Sequence, residues 1–131
     1  MFPKQKYSSK KSEANGILFH STLEARRYLQ LLKLAEMGQI SDLTLQPSFL
    51  LQDKYYIVKN GKRECVRKLT YSADFSYMEN GKLVIEDTKG FETKEYIIKR
   101  KLFLMMCDFD IFREYKSSKR VYDYIKTEDC L

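Results

Sequence analysis

Apolar residues recur at two spacings along this chain, and the switches between them mark its elements. From Leu23 through Tyr28, Leu31, Leu32 and Leu34 they return about every 3.6 residues, which predicts an amphipathic helix. Ser21 suits its N-cap, Glu24 three residues on completes an S-x-x-E capping box, and Gly38 stands where a helix stops. The period then falls to two. Asp42 to Leu51 alternates through Leu43, Leu45, Phe49 and Leu51, with Pro47 demoting its centre or marking an edge. Tyr55 to Lys59 and Lys62 to Lys68 face each other across Asn60-Gly61, a strong hairpin signal. Leu69 to Tyr77 places Tyr71, Ala73, Phe75 and Tyr77 on one face and Ser72, Asp74 and Ser76 on the other. A tight turn at Met78-Glu79-Asn80-Gly81 leads into a strand over residues 82–89. Residues 94–107 predict a helix, capped by Thr93 and buried through Ile97, Ile98, Leu102 and Met105. Asp108 to Tyr115 returns as a strand, and Ser117 to Lys126 predicts a short terminal helix using Val121, Tyr122 and Ile125. The order α-β-β-β-β-α-β predicts an α/β (α+β) class, a mixed sheet flanked by helices.

Residues 1–14 read as a flexible basic arm with Lys4, Lys6, Lys10 and Lys11, and residues 15–131 as one domain, opening on an Asn15-Gly16 turn and Ile17-Leu18-Phe19. No apolar run approaches the ~20 residues of a membrane span, and the N-terminus has no apolar core of a secretory signal. Cys65, Cys107 and Cys130 form no C-x-x-C and leave an odd count, so reduced thiols in a cytoplasm are the simple expectation. A net charge of +6 favours a polyanionic partner such as DNA, or else a solvated basic surface. One histidine, His20, cannot build an H-E-x-x-H zinc site, and no G-x-x-x-x-G-K-[ST] loop is present. Any hydrolytic centre must therefore use carboxylates and lysines.

Lys82-Leu83-Val84-Ile85-Glu86-Asp87-Thr88-Lys89 turns from apolar to charged at its C-terminal end. Strand parity points Asp87 and Lys89 the same way, with Asp74 on the neighbouring strand and Glu86 on the opposite face as a reserve acid. Two carboxylates and an ammonium at the end of a buried sheet are costly to desolvate, and a metal ion and a phosphate would justify them. Mg2+, with Mn2+ as its substitute, takes oxygen ligands, which Asp74, Asp87 and the Thr88 carbonyl would supply, with Lys89 beside the attacking water or the phosphate.

Ser-x-x-Glu at 21–24, Leu-Gln-Pro at 45–47, Tyr-x-Ala-Asp-Phe at 71–75 and Val-Ile-Glu-Asp-Thr-Lys-Gly at 84–90 together resemble the PD-(D/E)xK nuclease superfamily. More narrowly they resemble a small bacteriophage family catalogued as a domain of unknown function. The match runs in order from about Lys6 to Tyr115. The resemblance implies a restriction-endonuclease-like fold and puts the helix glutamate at Glu24, the central aspartate at Asp74, the second acid at Asp87 and the lysine at Lys89. Ala73 stands where a proline often precedes the aspartate, and Asp87 is one methylene shorter than the usual glutamate. It also implies an Mg2+-dependent endonuclease of phage or prophage origin that cuts branched DNA such as a Holliday junction during recombination or replication, with a homodimer supplying paired cuts.

Arg26, Arg27, Gln46, Lys94, Lys99 and Arg100 are candidate DNA contacts, with no base-reading logic among them. Plainer readings stand beside these. Glu24 is accounted for by the capping box, Asp87 with Lys89 by a surface ion pair, Gln46 by a bond to sheet backbone, and the basic helix residues by a solvated face. The second functional reading is a nuclease-fold DNA-binding or adaptor protein without useful catalysis, and the third is a phage structural or host-interaction protein.

Overall fold

A computed structural model describes residues 11–128; Lys4, Lys6, Lys10 and Cys130 lie outside the described residues. Strands β1 (Ser12–Ala14) and β2 (Ile17–Phe19) pair across Asn15-Gly16, so the last residues of the expected arm belong to the fold. Helix α1 (Thr22–Glu36) starts with the Ser21 hydroxyl accepting the Glu24 N–H at 3.0 Å. It ends in a Schellman motif, in which Gly38 (φ +73°) donates to Ala35 and Gln39 to Leu34. Strands β3 (Ser41–Leu45), β4 (Ser48–Gln52), β5 (Tyr55–Lys59), β6 (Lys62–Val66), β7 (Leu69–Ser72), β8 (Phe75–Glu79) and β9 (Lys82–Thr88) follow. Helix α2 (Lys94–Met106), capped by the Thr93 hydroxyl, then leads to β10 (Ile111–Ser117) and β11 (Arg120–Tyr124).

The fold is α+β. Its main sheet runs β11-β10-β9-β8-β3, antiparallel except where β10 lies parallel to β9. Strand β9 is central and buried on both faces. Val84 joins Phe19, Tyr28, Leu31 and Phe75 under α1, while Ile85 joins Tyr71, Tyr96, Phe103 and Phe112 under α2. The two helices thus cover opposite faces, as alternation along β9 requires. Among the described residues no helix is long and apolar enough to cross a membrane, and Cys65 and Cys107 are free thiols.

Three expectations are corrected. The single strand expected over residues 42–51 is two, β3 and β4, and that over residues 69–77 is two, β7 and β8. Both break at one place: Gln46 takes φ 50°, its N–H donates to the Asp74 carbonyl at 2.9 Å, and the Ala73 N–H donates to the Pro47 carbonyl at 3.0 Å. Strands β3 and β8 stay in the main sheet while β4 and β7 pair separately over α2. The terminal helix expected over residues 117–126 is instead strand β11. A segment that short nucleates a helix poorly, whereas Val121, Tyr122 and Tyr124 suit a pleated surface and cover the free edge of β10. Tyr124 packs its ring 5.7 Å from that of Phe112.

Candidate active site

The shared bend decides where Asp74 sits. The β8–β9 ladder ends at Phe75 opposite Glu86, so the N–H of Thr88 lies beyond its last rung. Asp74 fills the gap itself: its Oδ2 accepts from the Thr88 N–H at 2.8 Å and from the Thr88 hydroxyl at 2.7 Å. Two more carboxyls lie within hydrogen-bonding reach of Asp74, Glu24 from the first turn of α1 and Asp87 from β9. Each of the two pairs with Asp74; among the described residues no group of three or more His, Cys, Asp or Glu is placed so that it could hold a metal ion. Lys89 is close enough for its charge to act on both Glu24 and Asp87. Its ammonium lies 4.6 Å from the centre of the Tyr96 ring. The side chains of Glu24, Asp74, Asp87 and Lys89 therefore gather at the C-terminal end of β9. A cleft of about 270 Å³, lined by Thr70, Tyr71, Ser72, Lys89, Tyr96 and Lys99, opens beside them.

Burial sets the electrostatics of this cluster. Glu24 is 4% exposed and Asp87 1%. Burial first, and the Asp74 charge second, push the Glu24 carboxyl up to about 7. The same two causes hold Asp87 well above the usual carboxylate range, while the Lys89 charge pulls it back. Each carboxyl has one buried oxygen with no hydrogen-bond partner, Oε1 of Glu24 and Oδ1 of Asp87. Buried acceptors left in that state cost roughly 1–3 kcal/mol each, and more when charged. A divalent cation would be one way to satisfy such oxygens and offset the clustered charge. Glu24 serves the helix as well. Its N–H completes the Ser21 cap while its carboxyl leans toward Asp74.

Sequence reasoning missed the residues that hold these acids. The Tyr71 hydroxyl donates to Asp87 Oδ2, from inside an aromatic cluster with Phe103, Phe112 and Tyr96. Thr88, whose carbonyl is the expected metal ligand, also anchors Asp74 through its N–H and hydroxyl. The alternation that buries Tyr71 was legible, but nothing local marked its hydroxyl as the partner of an acid sixteen residues away.

The expected DNA contacts divide. Arg27 is not a free surface cation: its Nε and Nη2 reach Glu86 Oε2 and Oε1 at 2.7 and 2.8 Å, and its guanidinium lies 4.5 Å from the Tyr115 ring centre. Glu86, the reserve acid, is fully buried and is held there by Arg27 and by the Tyr77 hydroxyl at 2.6 Å. Arg100 is likewise committed, to Glu92 at 2.7 Å and to buried Glu114 at 2.6 Å. A buried carboxylate stripped of its partner is strongly destabilising, which explains why both arginines point inward. Arg26, Gln46 and Lys94 are exposed, and half-buried Lys99 pairs with Glu95 at 3.1 Å beside the cleft. Gln46 contributes through its backbone, which fixes that of Asp74.

A family model described as "Protein of unknown function (DUF1064)" matches residues 4–126. No curated protein matches the chain. A solved structure described as "Crystal structure of SSO0001" is similar over 76% of this chain at 17% identity, with a TM-score of 0.38, and this chain spans 48% of that one. Nothing about this protein follows from a likeness that slight.

Proposed function

The chain belongs to the DUF1064 family of proteins of unknown function, and from its site we propose that it is an Mg2+-dependent DNA endonuclease of the PD-(D/E)xK type. One observation carries the reading: two buried carboxylate oxygens without partners, Glu24 Oε1 and Asp87 Oδ1, belong to acids that both lean on Asp74, with Lys89 alongside. A structural ion pair would satisfy those oxygens internally, as Arg27 does for Glu86. The cation, when bound, supplies positive charge for the phosphate and acidity for a water. The chain does the rest. Asp74 is fixed by Thr88, Asp87 by Tyr71, and Lys89 stands at the cleft to orient the water or to meet the charge that develops on the phosphate. Branched DNA as the substrate, a homodimer making paired cuts, and a phage or prophage role in the cytoplasm are parts of the same proposal.

The deciding experiment incubates the purified protein with four-way junction, flap and linear duplex DNA, in Mg2+ and in EDTA. Cutting that needs Mg2+ is expected. Binding with no cutting on any substrate rejects the enzyme in favour of a DNA-binding adaptor. Tyr71→Phe tests how Asp87 is held. Losing one hydrogen bond to a charged group, worth roughly 1.5–3 kcal/mol, raises the Mg2+ needed for half-maximal cutting by about tenfold or more. An unchanged Mg2+ titration would remove Tyr71 from the site.

A further inference from the structure

Strands β5 and β6 form a sheet of their own that joins no other strand among the described residues. They pair antiparallel from Tyr55 opposite Val66 to Lys59 opposite Lys62 and close through Asn60-Gly61, both at positive φ, the geometry of a tight type I′ hairpin. The two strands continue the β4–β7 pair beyond its last rung, Gln52 opposite Leu69. Five residues at about 3.4 Å each make a ribbon roughly 17 Å long. Both of its faces are open: Tyr55, Tyr56, Ile57 and Val58 are 47%, 48%, 42% and 74% exposed.

An isolated two-stranded hairpin is marginally stable in water, and exposed apolar residues on both faces add to that cost. Charge says what would cover it. Residues 53–68 carry Lys54, Lys59, Lys62, Arg63, Arg67 and Lys68 against Asp53 and Glu64, a net +4 of the +6 on the whole chain. A second copy of the ribbon brings the same +4, so self-pairing sets like charges opposite each other. A polyanion relieves them. The major groove of B-DNA is about 12 Å wide and admits a two-stranded ribbon, whereas that of duplex RNA is too deep and narrow for side chains to read. Arg63 is already held flat, its guanidinium 3.9 Å from the Tyr56 ring centre.

We propose that the β5–β6 ribbon is a DNA-binding arm that lies in the major groove of duplex DNA, its basic residues on the phosphates and its tyrosines against the groove. The inference rests on the nuclease reading only for DNA being the partner; the grip itself requires no cutting, and binding is measured apart from cleavage.

The test is fluorescence anisotropy in EDTA with a 20-base-pair DNA duplex, its RNA counterpart and a single strand. Wild type is compared with the triple variant Lys59→Ser, Lys62→Ser, Arg63→Ser, and with a chain in which residues 53–68 are replaced by an Asn-Gly turn joining Gln52 to Leu69. Circular dichroism checks that each is folded. Both variants are expected to bind duplex DNA at least tenfold more weakly. With about 0.9 of salt slope per phosphate, the triple variant also gives a plot of log K against log salt shallower by about 2–3. Wild type is expected to prefer DNA over RNA duplex. Unchanged DNA affinity and salt slope in the folded variants overturn the proposal, as does equal affinity of wild type for the RNA duplex. Dimers in sedimentation that the replacement abolishes, with DNA binding intact, would assign the ribbon to self-association instead. Weakened binding with no cutting by wild type on any substrate would keep the arm and remove the nuclease.

Discussion

Asp74→Asn is expected to lower Mg2+-dependent DNA cutting by about 10³-fold or more, the scale of losing a charged group that acts on the transition state. The substitution is nearly isosteric, and the amide oxygen still accepts from the N–H and hydroxyl of Thr88, so the bend at residues 73–74 survives. What goes is the charge shared by both carboxyl pairs. Cation binding, read by calorimetry, should therefore weaken together with cutting. Lys89→Ala is expected to give a loss of similar size with a different signature. Its ammonium lies on the Tyr96 ring at the cleft and acts on Glu24 and Asp87 by charge alone. Cation binding should be unchanged or slightly tighter, because a like charge is removed, while the rate collapses. A rate within tenfold of wild type in either variant would show that these residues do not act on the phosphate.

The separation between those two signatures follows from what each residue touches, and only part of that was legible in the sequence. Parity along residues 82–89 put Asp87 and Lys89 on one face, and both meet the Tyr71–Tyr96 aromatic surface. The S-x-x-E cap located the start of α1, and with it Glu24. The bend could not be read, because each half looks like an uninterrupted strand alone. Gln46 and Pro47 kink only because they bond to Asp74 and Ala73, more than twenty residues on. The partners of the arginines were hidden for a similar reason: Arg27 finds Glu86 fifty-nine residues away, and no local pattern separates a buried ion pair from a solvated basic face. Periodicity also erred at the C-terminus, where the open edge of β10 drew Val121 to Tyr124 into a strand. Short-range chemistry was thus visible, and pairings made by tertiary contact were not.

Those pairings also tie stability to pH. In the metal-free protein Glu24 titrates near 7 when folded and at its ordinary 4.5 when unfolded, so between these values the folded state holds a proton that the unfolded state has lost. Stability conferred by that proton is complete below 4.5 and disappears as pH rises through 7, a loss on the order of 3 kcal/mol from Glu24. Asp87 shifts in the same direction and adds to it. Thermal melts in EDTA are accordingly expected to fall by about 10 °C between pH 5 and pH 8. Adding Mg2+ or Mn2+ at pH 8 should restore much of the loss, because a cation that binds the folded carboxylates takes the place of the proton. Asp74→Asn removes the neighbouring charge, so its melting temperature should vary less with pH and respond little to either metal. A melting temperature that is flat from pH 5 to pH 8 in wild type, or that rises over the range, would mean that Glu24 and Asp87 are not strained by their burial and that no cation is needed to relieve them.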